Sequence, residues 1–349
     1  MRRWTGIVAA SCAALAVVVG LAACGGDDGE SGTTGGGDVS ELTVYSGRSE
    51  DLVAPLFERF TDETGIELSV RYGDTAEMAA TVVEEGDRSP ADVFFGQDGG
   101  ALGSLEAEGL LAPLPEDTLS PVPAAFRSPD GRWVGTSGRV RVLGYDTRVL
   151  DEADLPASVF DLTDERWSGR VGWAPTNASF IAFVTAMRAE VGDEVTETWL
   201  RDMQANGAVA FERNGVLRDA IANGEVEVGL LNHYYIAQAR AELADPDSYP
   251  VGTHYFPGGD VGSLINVAGA GVITATDKQE AAEQLIAYLL SPESQEFFVE
   301  ETKEYPVVEG IDGPAGLPPL SSIEQPDINL NELSDLRGTL ALIEQAGIL

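Results

Sequence analysis

Cysteine is almost absent from this chain of 349 residues, which holds only Cys12 and Cys24. Cys12 lies in a leader that opens Met1-Arg2-Arg3, runs apolar from Ile7 to Leu21, and ends Leu21-Ala22-Ala23-Cys24. That layout reads as a signal peptide over residues 1–23 rather than a spanning helix. Its removal leaves Cys24 alone, which excludes an internal disulfide and a thiolate metal site. Histidine is equally scarce: His233 and His254 have no spacing that suggests a metal site. Basic residues number 21 against 58 acidic ones, a net charge of −37. This balance excludes nucleic acid and anionic lipid as partners and fits a soluble surface able to attract cations. The sequence has no GxSxG elbow and no histidine near a plausible nucleophile, which argues against an enzyme such as an anchored hydrolase.

Cys24 directly after Leu-Ala-Ala resembles a bacterial lipobox, in which cleavage precedes the cysteine and a diacylglyceryl group is attached to it. The mature protein is then expected outside the cytoplasm, lipid-anchored to the cell membrane at the cell surface or in the periplasm. Residues 24–41 would form the anchored cysteine and a linker, since "GGDDGESGTTGGGDVS" is Gly/Ser/Asp-rich and lacks apolar periodicity.

Beyond Leu42 strands and helices alternate. "LTVYSG" (42–47) precedes a helix in which Leu52, Val53, Leu56, Phe57 and Phe60 recur at helical spacing. Strand 66–73, helix 75–86, strand 91–96 and helix 99–109 follow, as βαβ units on a mostly parallel sheet. Residues 132–147 read as two strand pieces around Ser137-Gly138. A second α/β section comprises 169–175, helices 178–190 and 194–206, then 207–212, helix 214–223 and strand 226–232. The apolar run 264–273 and a helix over 278–290 come last. Two α/β lobes joined by extended crossovers place a cleft between them, a natural ligand site.

"LLNHYY" (230–235) sets Tyr234 and Tyr235 side by side after a strand and Asn232. Adjacent side chains do not share a face of a regular helix, but at a strand-to-helix turn they can converge. His233 should point away from the pair if the chain there is extended, in a surface or outer-shell role.

The colinear set "LTVYSGRSEDLVAPLFERFTDETGIEL", "GDRSPADVFFGQDGGALGSLEAEGLLAPLP", "SGRVRVLGYDT", "LLNHYY" and "EYPVVEGI" resembles the ferric-ion-binding solute receptors of bacterial ABC transporters. The resemblance implies a two-lobed α/β periplasmic-binding-protein fold, each lobe a mixed sheet flanked by helices, with hinge crossovers between them. Residues 42–137 plus 267–310 would form one lobe and 138–266 plus 311–349 the other. It further implies a monomeric receptor that captures Fe(3+) between the lobes and delivers it to a permease and its ATPase.

On the family pattern Tyr234 and Tyr235 bind the metal. The chemistry agrees, because a hard trivalent cation favours anionic oxygen, as in tyrosine-ligated haem. A phenol titrates near pH 10 in isolation, and a bound metal strongly favours its phenolate. Family members add a synergistic anion, phosphate or carbonate. The matching positions are Asn177, Asn214 and Asn232, the amides of Ala178 and Ser179 at a helix start, and Arg139. Ser49 and Gln97 stand where many relatives have a histidine and a glutamate, with Glu50 and Asp98 one residue away. The expected site is therefore the tyrosine pair and an anion, completed by water or by Asp98 or Glu50. A phosphonate, phosphate or other small organic solute carried by the same fold is the alternative.

Overall fold

The computed structural model describes residues 41–349. The leader, Cys24 and most of the linker lie outside the described residues. Strand β1 (Glu41–Ser46) leads to helix α1 (Glu50–Thr64), which buries Val53, Leu56, Phe57 and Phe60 along one face. Gly65 ends that helix in the left-handed region (φ 74°), its amide bonded to the Thr61 carbonyl. β2 (Glu67–Tyr72), α2 (Thr75–Glu85), β3 (Val93–Gly96), α3 (Gly99–Ala107) and the short α4 (Glu116–Leu119) follow. The Asp74 and Asp98 carboxylates accept from first-turn amides and so fix where α2 and α3 begin.

Next comes β4 (Val134–Asp146), then β5 (Val171–Trp173), α5 (Ala178–Val191), α6 (Asp193–Ala205), β6 (Val209–Ala210), α7 (Asn214–Asn223) and β7 (Val228–Asn232). α8 (His233–Ala241) starts directly at the end of β7. β8 (Val251–His254), β9 (Ile265–Val272), α9 (Gln279–Leu289) and α10 (Pro292–Phe297) lead to a π-helical turn, Phe298–Thr302. β10 (Tyr305–Pro306) and α11 (Leu336–Gln345) complete the chain.

The sequence suggests two strand pieces over 132–147, but the structure makes them one. β4 is thirteen residues long, buried throughout, with a bulge between Gly135 and Ser137. Ser137-Gly138 does not break it because β9 pairs with this stretch on one side and β10 on the other. Farther along, β4 exchanges these neighbours for β7 and β8. One strand thus ties a parallel set, β2-β1-β3, to a second set, β7-β5-β6, in the order β2-β1-β3-β9-β4-β7-β5-β6.

Trp173, Phe180, Phe183 and Trp199 form an aromatic cluster behind the start of α5, with centroids 5.6 to 6.2 Å apart, three contacts edge-to-face and Phe180–Phe183 tilted. Each such contact contributes about 0.5–1.5 kcal/mol beyond area burial, so the site is built against rigid aromatic packing.

Candidate metal and anion site

β7 remains extended to Asn232 (φ −92°, ψ 146°), and Tyr234 and Tyr235 fall in the first turn of α8. No earlier helical turn crowds them, and their rings stack with centroids 4.3 Å apart at 28°. The expected convergence of two phenols at a strand-to-helix turn is therefore what the chain adopts. Both residues are half-buried. Burial and the adjacent Tyr235 phenol hold the Tyr234 hydroxyl well above its ordinary range, while Arg139 pulls it down.

His233 does not face outward. It is the first residue of α8 rather than part of an extended segment, and it is completely buried. Its Nδ1 accepts from the Val140 amide at 3.1 Å, so Nε2 carries the proton and donates to the Lys303 carbonyl at 3.0 Å. Burial pushes its pKa down to about 4, so the ring is neutral at physiological pH. His254 is also occupied structurally, with Nε2 2.9 Å from the Pro156 carbonyl.

Two buried arginines face the tyrosines. Arg139 and Arg141, two residues apart on β4, share one face of the strand. Arg139 donates to Gln97 Oε1 at 3.3 Å. Arg141 donates to Ser179 Oγ at 3.2 Å and the Leu230 carbonyl at 2.9 Å, and lies over the rings of Phe180 and Phe183. Burial lowers the pKa of both, that of Arg141 to about 9, with the two phenols the main counterweight for Arg141. The Nε of each is buried without a hydrogen-bond partner among the described residues. The resemblance points to Arg139 and not to Arg141. The signal was present: two arginines at strand alternation in an otherwise apolar, acid-rich chain.

A cavity of about 20 Å³ opens beside the two arginines, room for roughly one water or one ligand oxygen; Tyr234 and Tyr235 are not among its lining residues. Arg139, Arg141, Asp98, Gln97, Ser179 and Asn232 line it, along with Ala178 and Asn266.

The remaining residues expected to hold an anion form a network among themselves. Asn177 caps α5, accepting from the Ser179 amide at 3.1 Å and the Ser179 hydroxyl at 2.6 Å. Asn214 Nδ2 donates to Asn177 Oδ1 at 3.2 Å and to Ser179 Oγ at 3.0 Å. The α5 terminus therefore already has an internal acceptor, while the buried Nε of Arg139 and of Arg141 at the cavity are unpartnered among the described residues.

On the other side of the cavity, Gln97 Nε2 donates to the Gly47 carbonyl at 2.8 Å. Asp98 is buried, and burial raises its pKa against the Ala101 amide and Arg139. Ser49 and Glu50 are exposed at the start of α1 and do not line the cavity. Among the described residues no three His, Cys, Asp or Glu side chains converge as a metal group.

Residues 88–326 match the family described as bacterial extracellular solute-binding protein. The chain belongs to that family. It is 32% identical to the major ferric iron-binding protein of Neisseria meningitidis over 315 residues, 89% of this chain and 94% of that one. It is 31% identical to the Fe(3+)-binding periplasmic protein of Serratia marcescens, covering 88% of this chain and 90% of that one. Among solved structures it is similar to iron-bound HitA of Pseudomonas aeruginosa, with TM-score 0.81, 34% identity, and 88% and 99% of the two chains covered. A Trichodesmium protein crystallised with iron and citrate superposes with TM-score 0.77 at 27% identity, covering 88% of this chain and all of that one. The periplasmic-binding-protein fold expected of this family member is the fold observed.

Proposed function

We propose that the protein is an extracytoplasmic receptor that binds Fe(3+) through the Tyr234 and Tyr235 phenolates together with a small oxyanion. The observation that carries this reading is the stacked phenol pair at the start of α8, opposed by Arg139 and Arg141. The relatives named for ferric iron support the cargo. Two phenolates leave one positive charge on Fe(3+), and the buried guanidiniums add two more. A site of that net charge calls for an anion. One oxygen of a phosphate or carbonate would occupy the cavity beside Arg139 and Arg141, with Asn232 and Ser179 lining it. Asn177 and Asn214 then act by holding Ser179 in place. Asp98 is the carboxylate that lines the cavity and would complete the shell, with Gln97 orienting Arg139.

In this reading residues 42–137 with 267–310 close against 138–266 with 311–349 around the ion. A monomer anchored through lipid on Cys24 passes it to a membrane permease driven by an ATPase. A titration with ferric citrate, followed by visible absorption with and without phosphate or carbonate, tests it. A phenolate-to-iron charge-transfer band is expected, strengthened by the anion. A colourless titration would overturn the proposal, and a phosphate-induced rise in Tm without any iron band would make the anion the cargo.

A further inference from the structure

Three consecutive residues join the tyrosine helix to β4 and to the start of α1. Lys303 offers its carbonyl to His233 Nε2 at 3.0 Å, immediately before the tyrosine pair. The Glu304 carboxylate receives both contacts of the Arg48 Nη2, at 2.9 and 3.0 Å, and the Ser137 hydroxyl. Tyr305 packs its ring on His233, centroids 4.7 Å apart, and its backbone pairs with Gly138 of β4. One residue earlier, the Thr302 carbonyl accepts from Gln238 of α8 at 3.0 Å. The segment therefore holds α8 at two points, five residues apart, and is itself fixed by a carboxylate.

The backbone here is unusual. Phe298–Thr302 form a π-helical turn, and Lys303 has φ 59°, the non-glycine residue at positive φ among the described residues. Side chains disfavour that region, and such conformations persist where surroundings over-determine them, commonly at functional sites. The surroundings in this case are the Glu304 contacts. Glu304 and Arg48 are each about 1% exposed and 256 residues apart in sequence. A buried ion pair of this kind is weak evidence of stability but a sound device for fixing one arrangement.

We propose that Glu304 is a positioning residue for the tyrosine pair. By anchoring the Lys303 turn to Arg48 and Ser137, it sets where α8 starts and hence where the two phenol oxygens converge. It touches neither metal nor anion, and acts through Lys303 and His233. This rests on the ferric-site reading and specifies what holds that site in register.

The test must separate position from charge. Glu304→Gln alone would leave Arg48 buried without its counter-ion. The main variant is therefore the charge-neutral Arg48→Met/Glu304→Leu, made in the full chain, because a buried pair is often replaced by apolar residues without loss of fold. Two quantities are read on the iron-saturated protein: the position and intensity of the charge-transfer band, and the rate of iron loss to excess EDTA. Circular dichroism reports the fold. The expected result is native circular dichroism, a displaced or weakened band, and iron loss faster by roughly 10-fold or more, the scale set by outer-shell partners of metal ligands. A folded variant with the parent's band and rate overturns the proposal. Should the double variant not fold, Ser137→Ala removes one contact to the same carboxylate, and the same two readouts decide, with a smaller change in the same direction expected and parent values overturning the proposal. If the parent itself shows no band, the ferric reading fails first, which distinguishes the two failures.

Discussion

Arg141 stands directly opposite Asn232 in the β4–β7 ladder, so a buried guanidinium shares a rung with the residue that launches the tyrosine helix. Burying this cation is costly: burial lowers its pKa to about 9, and the charge interaction with Tyr235 and Tyr234 compensates only in part. Function and stability therefore oppose each other at this position.

Arg141→Met should raise the Tm of the ligand-free protein while weakening anion-dependent iron binding. A gain of about 1 kcal/mol would appear as a rise of ~2–4 °C in calorimetry, given the size of the domain. Arg141→Lys should not restore the anion effect, because a lysine lacks the planar fork. An unchanged or lower Tm with intact anion dependence would place Arg141 in the packing alone.

Tyr234→Phe and Tyr235→Phe should each leave the fold intact and abolish most of the visible band. Loss of a direct ligand should exceed the roughly 10- to 100-fold that outer partners cost in metal affinity. A competition titration against citrate measures it. Retention of the parent's affinity in either variant would remove that phenol from the shell.

The helices, the strand ends and the tyrosine turn were legible because each has a local cause. Leu56, Phe57 and Phe60 repeat at helical spacing, and Asn232 closes a strand just before a run able to form a helix. What escaped depends on distant partners. β4 reads as two pieces because only β9 and β10, from far along the chain, hold Ser137-Gly138 extended. The sequence leaves His233 between a surface and an outer-shell role because its two partners, Val140 and Lys303, lie 93 and 70 residues away. Arg141 gave a signal in the alternation of "RVRV" but no indication that it would be buried.

Gly100→Ala should destabilise the protein. A Cβ there would lie 2.3 Å from the Leu333 carbonyl oxygen, in the turn Leu330–Ser334 that packs on α3. A backbone atom cannot step aside as a side-chain tip can, so the overpacking cost should be about 1–3 kcal/mol. Thermal unfolding would show it. A Tm equal to the parent's would mean the Leu330–Ser334 turn lifts from α3 at little cost.

Alkaline pH should unfold the ligand-free protein from about pH 10 upward. Burial raises Tyr234 well above its ordinary value, pushes Tyr255 up to about 12 and raises Tyr305 as well. Each raised phenol stabilises fully below the unfolded value near 10, and that contribution is lost as pH climbs through the folded value, at up to about 1.4 kcal/mol per unit per group. Arg139 and Arg141 act in the opposite sense. Their lowered values mean the unfolded chain holds more protons than the folded one, for Arg141 above about pH 9, which adds stability as pH rises. The phenols outnumber them, so the net slope should be downward, steeper in Arg141→Met and shallower in Tyr255→Phe. Iron should flatten it further, because coordination has already removed the Tyr234 proton. Tm measured from pH 8 to 11.5 with and without iron checks both signs. Identical slopes in the two states would show that Tyr234 keeps its proton when iron is bound.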